Sequence, residues 1–381
     1  MVHAGDLLDQ GWRGFPLKAL ILAGGYGTRL RPLSCRKPKL LFPILGKPIL
    51  KWNMEVLAEM GVSEVVLALN YLADILTGEM GRSYHGIRIR YTVERTPLGT
   101  GGPIKRAMRI LGGEEVFLAM NGDVVFDRSM GGVLEAHMGS GAVATIALRE
   151  VEDTSRFGVA LVDREGWIRG FVEKPKPGTV DSNLINAGFY ALSRGIFKYI
   201  PSGRKVSTER EVFPVLAREK RLRAFIYRGY WSDIGEIEDF IRVNRRFLEA
   251  LPGDGVSIDE GASVEGGVEV NPPVKICRAV HVEDGASLGP YTVVGEGCRI
   301  GRGSRISNSI LFEGCRIGER ASIDGGVLGD RVSIGAKAKI MSGTVLGEEV
   351  SIMDGIRIMG GTSICPYKEV RDDVLTPGKV M

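Results

Sequence analysis

The sequence of 381 residues lacks the features that identify a secreted, membrane or zinc-binding protein. No apolar run approaches the roughly 18 residues that a membrane-spanning helix needs. Residues 1–16 contain acids and glycines but no basic start followed by an apolar stretch, so they do not resemble a secretory signal. The five cysteines show neither the paired spacing of zinc sites nor that of a disulfide framework. These absences predict a cytoplasmic protein with reduced cysteines.

The chain has little net charge and a single glutamine, and both facts are informative. It contains 50 basic and 46 acidic residues, a formal net charge of +4 and no block of like charge. Nucleic-acid-binding domains concentrate basic residues on one face, so we expect neither a nucleic-acid nor a membrane partner. Gln10 is the single glutamine of the chain. A local group of cations would still suffice to bind a small anionic molecule.

The most informative segment that the sequence does contain is an apolar strand followed by glycines. Leu17–Ala23 has the composition of a buried parallel strand. Gly24, Gly25 and Gly27 then allow a sharp turn that brings backbone N–H groups against anionic oxygens. This arrangement predicts a loop that binds phosphate groups.

Three polar side chains after the glycines strengthen this prediction. Thr28 offers a hydroxyl donor, Arg29 a planar guanidinium, and Lys39 a compact ammonium suited to a leaving or attacking oxygen. The simpler interpretation, a tight turn without a ligand, leaves this grouping of cations unexplained. We therefore expect the loop to bind a triphosphate.

Two familiar phosphate-binding loops do not fit this segment. The dinucleotide-binding fingerprint would need a glycine at Leu30 and an acid roughly 20 residues downstream, but the next acid is Glu55. A Walker A loop would need Gly-Lys-Ser or Gly-Lys-Thr leading straight into a helix, whereas Pro32 interrupts the backbone here. The loop is therefore of a third type.

Apolar strands alternate with helical periodicity between Lys18 and about Arg245. The predicted strands are residues 64–69, 116–120 and 143–148, and the predicted helices are residues 52–60, 100–111 and 129–137. This βαβ alternation predicts a Rossmann-like, mostly parallel sheet that binds ligands beyond the carboxyl ends of its strands. Gly24 to Gly27 and Asp123 each closely follow such a strand, so we expect them at the same rim.

Glycine-rich hexads replace the helices after Pro252. One aliphatic residue recurs every six positions: Ile258, Val264, Val270, Ile276, Val282, Leu288, Val294, Ile300 and Ile306. The series continues across two gaps of 11 residues, which we expect at irregular corners, with Ile317, Ile323, Ile334 and Ile340. A six-residue period predicts a β-helix with three short sides per coil and one inward aliphatic residue per side.

These patterns divide the chain into four predicted parts. The predicted parts are a flexible N-terminal tail at residues 1–17, a catalytic domain at 18–250, a β-helix at 256–370 and a C-terminal tail at 371–381. A chain of this length and apolar content can bury two separate cores.

The motifs of the chain together resemble those of the sugar-1-phosphate nucleotidyltransferases. The motifs are GGYGTRLRPL, PK, KPIL, PLGT, NGD, FGV, FVEKP, INAG, EVFP and WSDIG. They are most similar to the mannose-1-phosphate guanylyltransferases of the eukaryotic and archaeal type. One departure is Leu40, which stands where these relatives usually have the second proline of Pro-Lys-Pro. The resemblance implies a nucleotidyltransferase domain followed by a left-handed β-helix.

The resemblance also implies roles for individual residues. The implied nucleotide-binding residues are Leu22, Ala23, Gly24, Gly25, Gly27, Thr28, Arg29, Lys39, Pro97, Gly99, Thr100 and Asp123. The implied sugar-phosphate-binding residues are Gly158, Glu173, Lys174, Asn186 and Gly188. Asp123 and Asp233 match the two aspartates that bind Mg²⁺ in this family, and with Arg29 and Lys39 they form the expected catalytic set.

The expected reaction joins GTP and mannose 1-phosphate to give GDP-mannose and pyrophosphate. Relatives that use thymidine or uridine triphosphate read the pyrimidine with a glutamine at the positions of Gly102 or Pro97, and this chain has no amide at either. Two alternatives stay open: a glucose-1-phosphate thymidylyl- or uridylyltransferase, and a non-catalytic regulatory subunit of the same fold. Retention of the cationic and acidic site residues favours an enzyme.

The β-helix allows three interpretations: an oligomerisation and regulatory platform, an acetyltransferase, or a passive cap. An acetyltransferase of this fold usually needs a histidine base, and His281 is the only histidine after His137. A lone solvated histidine favours the platform. We therefore expect a homo-oligomer, with a homologous regulatory subunit as a further expected partner.

Overall fold

The apolar segments of the first 250 residues become strands because they are buried in a sheet covered by helices. The computed structural model describes residues 17–176 and 178–380. The strands of this part are β1 (Leu17–Ala23), β2 (Pro43–Ile44), β3 (Lys47–Pro48), β4 (Val62–Leu69), β5 (Ser83–Tyr84), β6 (Ile87–Val93), β7 (Val116–Asn121), β8 (Val124–Phe126), β9 (Ala144–Glu150), β10 (Gly158–Val162), β11 (Ile168–Glu173), β12 (Leu184–Ser193), β13 (Leu222–Ile226) and β14 (Trp231–Asp233).

Six α-helices and several shorter helical turns connect the described strands. The helices are α1 (Ile49–Glu59), α2 (Ala73–Met80), α3 (Gly101–Leu111), α4 (Gly132–His137), α5 (Phe213–Arg218) and α6 (Ile237–Glu249). The 3-10 turns are Thr28–Leu30, Leu33–Cys35, Lys39–Leu41, Arg128–Gly131 and Arg194–Lys198, and a π-helical turn covers Thr208–Val212. Within residues 17–176 and 178–380, every helix is too short or too polar to span a bilayer.

The centre of the sheet is parallel, in the order β7, β1, β4, β6. Antiparallel strands extend it: β12 pairs with β7, β10 with β12 and β11 with β10. At the opposite edge β5 pairs antiparallel with β6, while β9 joins β12 to β13. The predicted Rossmann-like fold class is confirmed, and the antiparallel extension beyond β7 is a feature that the βαβ pattern did not indicate.

The predicted elements correspond to observed ones with small changes at their ends. The strands predicted at residues 64–69, 116–120 and 143–148 are β4, β7 and β9, and the helices predicted at 52–60 and 100–111 are α1 and α3. The segment 129–137 begins as a 3-10 turn, because the Asp127 carboxylate accepts a hydrogen bond from Ser129 N at 2.9 Å. It becomes α-helical only at Gly132.

The glycine-rich hexads form short parallel strands in three stacked sheets. The first sheet contains β15 (Val256–Ile258), β18 (Val274–Ile276), β21 (Thr292–Val294), β24 (Ile310–Leu311), β27 (Val327–Leu328), β30 (Val345–Leu346), β33 (Ser363–Ile364) and β35 (Lys379–Val380). The second contains β16 (Ser263–Val264), β19 (His281–Val282), β22 (Arg299–Ile300), β25 (Arg316–Ile317), β28 (Ser333–Ile334), β31 (Ser351–Ile352) and β34 (Glu369–Val370). The third contains β17 (Glu269–Val270), β20 (Ser287–Leu288), β23 (Arg305–Ser307), β26 (Ser322–Asp324), β29 (Lys339–Ile340) and β32 (Arg357–Ile358).

This arrangement confirms the predicted left-handed β-helix of hexapeptide repeats. The predicted aliphatic residues from Ile276 to Ile340 are all buried, whereas Ile258 of the first coil is 48% exposed. In the two gaps, Leu311 and Leu328 supply the missing inward residue after a step of five positions. The series then continues beyond Ile340 with buried Leu346, Ile352, Ile358, Ile364 and Val370.

The chain divides into two compact units, and one of the boundaries between them lies within the glycine-rich loop. One unit contains the residues up to Gly25 together with Leu50–Asp233, and the other contains Tyr26–Ile49 together with Ile234–Met381. The cationic segment that follows the glycines therefore belongs to the same unit as the β-helix. The predicted domain limits at residues 18–250 and 256–370 stay predictions.

The predicted tails can be compared with the structure only in part. Residues 1–16 and 381 lie outside the described residues, and Leu17 is the first residue of β1. Within the predicted C-terminal tail, Lys379–Val380 pair in parallel with Ser363–Ile364 and add a last strand to the first sheet of the β-helix.

Candidate active site

The carboxyl ends of β1 and β7 meet at one rim of the sheet. Leu22 of β1 is the register partner of Asn121 of β7, and Gly122 N donates a hydrogen bond to Leu22 O at 2.9 Å. Asp123 comes directly after this contact, and Gly24 leaves the end of β1. The structure therefore places Gly24 and Asp123 at the same rim, as the strand pattern predicted.

Asn53 of α1 holds the turn that presents Asp123. Its Nδ2 donates to Gly122 O at 3.2 Å and to Val124 O at 2.9 Å, and the residue is only 1% exposed. These two bonds fix the backbone on both sides of the aspartate. The sequence did not reveal this role, because an asparagine within a helical period has no local signature of a buried contact.

Asp233 lies next to Asp123 through a two-stranded ribbon. β14 pairs antiparallel with β8, and Asp233 is the register partner of Val124, the residue that follows Asp123. The indole of Trp231 in β14 donates to Ala187 O at 2.8 Å and so ties the ribbon to β12. Both carboxylates are half-buried. The ribbon thus brings together two acids that are 110 residues apart in the sequence.

Glu173 and Lys174 point in different directions because the strand ends between them. β11 ends at Glu173, and Lys174 has a positive φ of 50° while its N–H donates to Phe157 O at 2.9 Å. A left-handed residue directly after a strand turns the chain away from the sheet. The two sequence neighbours therefore leave the end of the strand in different directions.

Gly158 makes room for the Glu173 carboxylate. The two residues face each other across the β10–β11 pair. A Cβ atom at Gly158 would lie 2.5 Å from Phe171 Cζ and 2.8 Å from Glu173 Oε2. Any side chain at this position would therefore displace the acid or the aromatic ring.

Asn186 and Gly188 form a bulge in β12. The register of β12 against β9 shifts between Asn186 and Tyr190, and Gly188 has a φ of 72°. Asn186 Oδ1 accepts from Gly188 N at 2.9 Å, and its Nδ2 donates to Tyr190 Oη at 2.9 Å. A Cβ atom at Gly188 would lie 2.6 Å from Asn121 Nδ2. The bulge therefore fixes the side chain of Asn186 and requires glycine beside it.

The loop that carries Pro97, Gly99 and Thr100 is bound by residues far along the chain. Thr100 Oγ1 donates to Glu209 Oε2 at 2.6 Å, and Gly101 N donates to Val206 O at 2.9 Å. Gly99 has a φ of 77°, and a Cβ atom there would lie 2.3 Å from Val206 O. Pro97 is exposed. The sequence did not single out Glu209, although it stands two residues before the EVFP motif.

Several carboxylates of the first unit act on one another. Burial raises the pKa of Glu173, and the charge of Glu209 raises it further, against the opposing charge of Lys174. Burial also raises the pKa of the Tyr190 hydroxyl, to which the charges of Glu209 and Glu173 add. Asp123 contributes in the same direction. This accumulation of negative charge would be stabilised by a bound cation.

In the second unit, Gly27 lies close to both Ser34 and Lys39: a Cβ atom at Gly27 would be 3.2 Å from Ser34 Cβ and 3.7 Å from Lys39 Cβ. Gly27 has a φ of 58°, and Ser34 Oγ donates to its carbonyl oxygen at 2.6 Å. Lys39 begins the 3-10 turn Lys39–Leu41 and is 9% exposed. Leu40, which replaces the family's second proline, is buried in that turn. Leu41 N and Phe42 N close the turn through bonds to Pro38 O and Lys39 O.

Thr28 and Arg29 are exposed, and the Arg29 guanidinium has an acidic partner. Its Nη1 lies 3.0 Å from Glu236 Oε1, at the start of α6. The pair is open to solvent, so its net contribution to stability is small, on the order of 0–1 kcal/mol. A guanidinium has five donors, so Arg29 can keep Glu236 and still donate to phosphate. The sequence did not indicate Glu236.

Comparison with known proteins places this chain. Residues 18–250 match the family of nucleotidyl transferases, and residues 270–380 match the GMPPB C-terminal domain. The chain belongs to the nucleotidyl transferase family.

Curated relatives and solved structures agree with this assignment. A probable mannose-1-phosphate guanylyltransferase 3 of Oryza sativa subsp. japonica is 36% identical over 313 residues, covering 77% of this chain and 86% of the rice protein. Mannose-1-phosphate guanyltransferase beta-B of Xenopus laevis is 39% identical over 265 residues, covering 68% and 73%. The crystal structure of HddC from Yersinia pseudotuberculosis complexed with GMP-PN has a TM-score of 0.52 at 32% identity, covering 61% of this chain and 99% of HddC.

The carboxylates of this nucleotidyl transferase fit a magnesium ion that takes its remaining ligands from the substrate and water. Among the described residues, no group of three or more His, Cys, Asp or Glu side chains forms a metal site. Mg²⁺ usually takes one or two carboxylates and completes its octahedron with phosphate oxygens and water. Asp123 and Asp233, which are neighbours across the β8–β14 ribbon, fit that requirement. The negative charges of Glu209, Glu173 and Asp123 near Tyr190 would also favour a bound cation.

The other predicted site residues of the nucleotidyl transferase fall into the two units. Leu22, Ala23 and Gly25 lie in the first unit with the acids and the sugar-site residues, whereas Gly27, Thr28, Arg29 and Lys39 lie in the second. The structure joins Glu173 to Gly158 and Asn186 to Gly188 by direct contact. The ligand assigned to each residue stays a prediction.

Proposed function

We propose that this nucleotidyl transferase joins GTP and mannose 1-phosphate to give GDP-mannose and pyrophosphate. The observation that carries the proposal is the register of β14 on β8, which sets Asp233 beside Asp123 at the rim where β1 leads into the glycine loop. Support for the base and the sugar comes from the relatives, which are named mannose-1-phosphate guanylyltransferases.

The reaction is a substitution at the α-phosphorus of the nucleotide. A phosphate oxygen of the sugar 1-phosphate forms the new P–O bond, the bond to the β-phosphate oxygen breaks, and pyrophosphate leaves with its electron pair. Both reactants are anions, so positioning and charge neutralisation supply most of the acceleration. We assign Arg29, Lys39 and the N–H groups of Gly24, Gly25 and Gly27 to the triphosphate.

A divalent metal supplies the remaining positive charge in this proposal. Asp123 and Asp233 would hold Mg²⁺ through one carboxylate each, leaving the other positions to phosphate oxygens and water. When bound, the ion would polarise the phosphoryl group and stabilise the charge that develops on it. Asn53 would fix the backbone of the turn that presents Asp123.

The sugar phosphate is assigned to residues at the ends of β10, β11 and β12. Glu173 would accept hydrogen bonds from sugar hydroxyls, and the exposed ammonium of Lys174 would bind the phosphate. We assign Gly158 and Gly188 to close approach of the sugar ring. Packing also requires glycine at both positions, because a Cβ atom would lie 2.5 Å from Phe171 Cζ at Gly158 and 2.6 Å from Asn121 Nδ2 at Gly188. Asn186, held by Tyr190 Oη and Gly188 N, would complete the pocket.

Packing at Gly102 supports guanine as the base. A Cβ atom at Gly102 would lie 2.2 Å from Leu98 Cβ, so the glutamine of a thymidylyl-type site does not fit the present loop. Without an amide at Gly102 or Pro97, the site lacks the polar group that reads the pyrimidine in those relatives, so pyrimidine specificity should be weak. We assign guanine recognition to backbone groups of the loop that contains Gly99 and Thr100.

For the β-helix we propose an oligomerisation and regulatory platform rather than an acetyltransferase. His281 is 44% exposed at its side chain and lies 3.7 Å from Glu265, on the surface of β19. Such an exposed surface contact needs no catalytic role. A homo-oligomer, and association with a homologous regulatory subunit, belong to this proposal.

The test is a matrix assay of the purified protein with Mg²⁺. Each of GTP, ATP, UTP and dTTP is combined with mannose 1-phosphate and glucose 1-phosphate, and pyrophosphate release is measured. We expect the highest kcat/KM for GTP with mannose 1-phosphate. A preference for dTTP or UTP with glucose 1-phosphate would reject the guanylyl assignment. No turnover of any pair would favour the regulatory-subunit alternative.

A further inference from the structure

The segment Tyr26–Ile49 carries Arg29 and Lys39 and lies in the compact unit of the β-helix. Its regular structure consists of three 3-10 turns, the two-residue strands β2 and β3, and the first residue of α1. So few backbone hydrogen bonds do not fix a conformation by themselves. The position of Lys39 must therefore depend on side-chain contacts made by the rest of the segment.

One edge of the β-helix supplies many of these contacts. The strand register aligns one residue per coil directly after the strands of the first sheet, and we call this line the corner edge: Cys277, Gly295, Phe312, Gly329, Gly347 and Cys365. Adjacent coils are about 4.8 Å apart, the spacing of neighbouring strands. The corner edge is thus a regular row of positions along one side of the β-helix.

Three groups of contacts, which we call anchors, hold the segment against the corner edge and α6. The first anchor involves Cys277 and α6. Asn244 of α6 accepts from Leu45 N at 3.0 Å and donates to Pro43 O at 3.2 Å, and it is 1% exposed. A Cβ atom at Gly46 would lie 2.2 Å from Cys277 Sγ. The backbone of the segment is therefore held tightly against the first residue of the corner edge.

The second anchor is a group of three buried phenylalanines. Phe42 of the segment packs edge-to-face on Phe312 of the corner edge and on Phe240 of α6, with ring centroids 5.6 Å and 5.5 Å apart. All three rings are fully buried. Such aromatic pairs contribute about 0.5–1.5 kcal/mol each beyond their burial. Phe42 N also donates to Lys39 O at 3.0 Å, which joins this anchor directly to the lysine turn.

The third anchor is an ion pair two residues before Lys39. Lys37 Nζ lies 2.8 Å and 3.0 Å from the two carboxylate oxygens of Asp330, which follows Gly329 of the corner edge. The Asp330 side chain is 11% exposed, and its Oδ1 also accepts from Glu313 N at 3.3 Å. Lys37 Nζ also lies 5.7 Å above the Phe312 ring. The pair is therefore largely removed from water, unlike the exposed Arg29–Glu236 pair.

These anchors follow the corner edge in order. Gly46, Phe42 and Lys37 meet the coils at Cys277, Phe312 and Asp330, so the segment runs along the edge against the direction of the coils. Arg36 continues the row, with its guanidinium 5.7 Å from the Tyr367 ring. Lys39 lies between the anchors at Lys37 and Phe42.

We propose that the corner edge of the β-helix positions Lys39 for the triphosphate, and that Asp330 is a positioning residue of the reaction. This inference rests on the proposed role of Lys39 in binding the triphosphate. Asp330 acts through Lys37: its carboxylate fixes the start of the lysine turn while the phenylalanines fix the end. Removing one partner of a buried ion pair leaves the other charge unpaired, so the segment would move to solvate it.

The experiment measures kcat and KM for both substrates in Asp330→Asn and Lys37→Met. A displacement of about 1 Å can cost on the order of a hundredfold in rate, so we expect kcat/KM for GTP to fall ten- to a hundredfold. The KM for mannose 1-phosphate should change by less than about threefold, because Lys174 and Glu173 lie in the other unit. Lys37→Arg keeps the charge and should retain most of the activity.

A matched variant controls for general damage to the β-helix. Asp373 accepts from Arg357 N and Arg357 Nε, both at 2.8 Å, but among the described residues it makes no hydrogen bond or ion pair with the segment Tyr26–Ile49. Asp373→Asn should leave the kinetic constants for GTP unchanged. Circular dichroism and thermal unfolding of each variant show whether it is folded. If Asp330→Asn does not fold, the comparison of Lys37→Met with Lys37→Arg tests the positioning role instead: the first variant should lose kcat/KM for GTP and the second should keep it.

Lys39→Ala separates this inference from the proposed function. If Lys39→Ala leaves the constants for GTP unchanged, the assignment of Lys39 to the triphosphate is wrong. If Lys39→Ala is strongly impaired while folded Asp330→Asn and Lys37→Met behave like Asp373→Asn, the positioning role of the corner edge is refuted. Selective loss of kcat/KM for GTP in all three variants, with recovery in Lys37→Arg, supports it.

Discussion

At the scale of single residues, the site is defined by acids that the fold forces together. Asp123 and Asp233 are neighbours through one strand register, and Glu173 and Glu209 add charge near Tyr190. Burial raises the pKa of Glu173, and the charge of Glu209 raises it further. The charges of Lys174 and Arg210 oppose the rise in the pKa of Glu173, and bound Mg²⁺ would add further positive charge.

The first prediction concerns the metal. Asp233→Asn keeps the shape of the side chain but removes one charge from the proposed Mg²⁺ site. We expect kcat to fall by roughly a hundredfold or more, because the ion supplies several kcal/mol of transition-state stabilisation. The measurement is pyrophosphate release over a titration of Mg²⁺.

Asp181→Asn is the matched control for that variant, since Asp181 is an exposed aspartate of the same unit. It should retain wild-type turnover and Mg²⁺ dependence. A folded Asp233→Asn protein with near-normal turnover at saturating Mg²⁺ would show that Asp233 does not bind the metal.

Motif residues could be predicted from the sequence, but their supporting contacts could not. Asp123 follows a predicted strand and both aspartates match the family motifs, so their type and position indicated the chemistry. Asn53 and Glu209 have no such signature, because each acts on a backbone or hydroxyl group far away in the chain. Such roles become visible only when the tertiary structure brings the partners together.

At the scale of elements, the glycines of the loop before α3 and of the first turn of α3 are explained by packing. Gly99 faces Val206 O, and Gly102 faces Leu98 Cβ. Glycine inside a helix normally costs about 1 kcal/mol relative to alanine. At Gly102 we expect glycine to be more stable than alanine, because an added methyl group would overlap Leu98 Cβ.

The second prediction tests this loop. Gly102→Ala should lower the free energy of unfolding by about 1–3 kcal/mol, the usual cost of overpacking, rather than raise it. Gly102→Gln should destabilise at least as much and should not create activity with dTTP. Thermal unfolding and the nucleotide matrix assay measure both effects.

Gly113→Ala serves as the comparison, because a Cβ atom at Gly113 would meet no atom within 4 Å. Its stability should stay within about 0.5 kcal/mol of the wild type. A stabilised Gly102→Ala protein, or efficient use of dTTP by Gly102→Gln, would contradict the packing argument for guanine.

The β-helix shows which inward-facing residues a six-residue period predicts and which it misses. Hexads from Ile276 to Ile306 predicted inward residues correctly, because each side of a coil repeats the same geometry. The two gaps of 11 residues concealed Leu311 and Leu328, since a shortened corner moves the inward residue to the fifth position. A fixed period cannot reveal a corner that varies in length.

At the scale of the whole molecule, the allocation of Tyr26–Ile49 to the unit of the β-helix was not predictable from the sequence. Lys37 and Asp330 are 293 residues apart, and neither lies in a periodic pattern that indicates the other. Sequence motifs placed the segment in the catalytic domain at residues 18–250. The proposed domain limits and the observed units thus describe different properties. The proposed limits follow changes in composition along the sequence, whereas the observed units follow the packing of the folded chain.

The third prediction follows from this allocation. Removing residues from Gly253 onward deletes Phe312 and Asp330, and so exposes Phe42 and Phe240 and leaves Lys37 unpaired. Exposure of each large apolar side chain costs about 1.5–3 kcal/mol. We expect the truncated chain to lose thermal stability, native assembly and nucleotidyl transfer together.

Calorimetry, sedimentation and pyrophosphate release measure these three properties. A truncated protein with wild-type kcat/KM for GTP would show that the β-helix is dispensable for catalysis. The intact protein is also expected to transfer no acetyl group from acetyl-coenzyme A to an amino-sugar phosphate. Detection of that product would assign a base role to His281 and contradict the platform proposal.

The corner edge sets a limit on how the length of the β-helix can vary. From Cys277 to Asp330 the edge spans three coil steps, about 14 Å, and the segment between Gly46 and Lys37 must match that distance. A coil inserted within this interval would shift the outer anchors by about 4.8 Å and break the match. A coil added beyond Tyr367 would leave every anchor in place. The protein can therefore gain or lose repeats at its far end, while the interval that faces the lysine turn has a fixed number of coils.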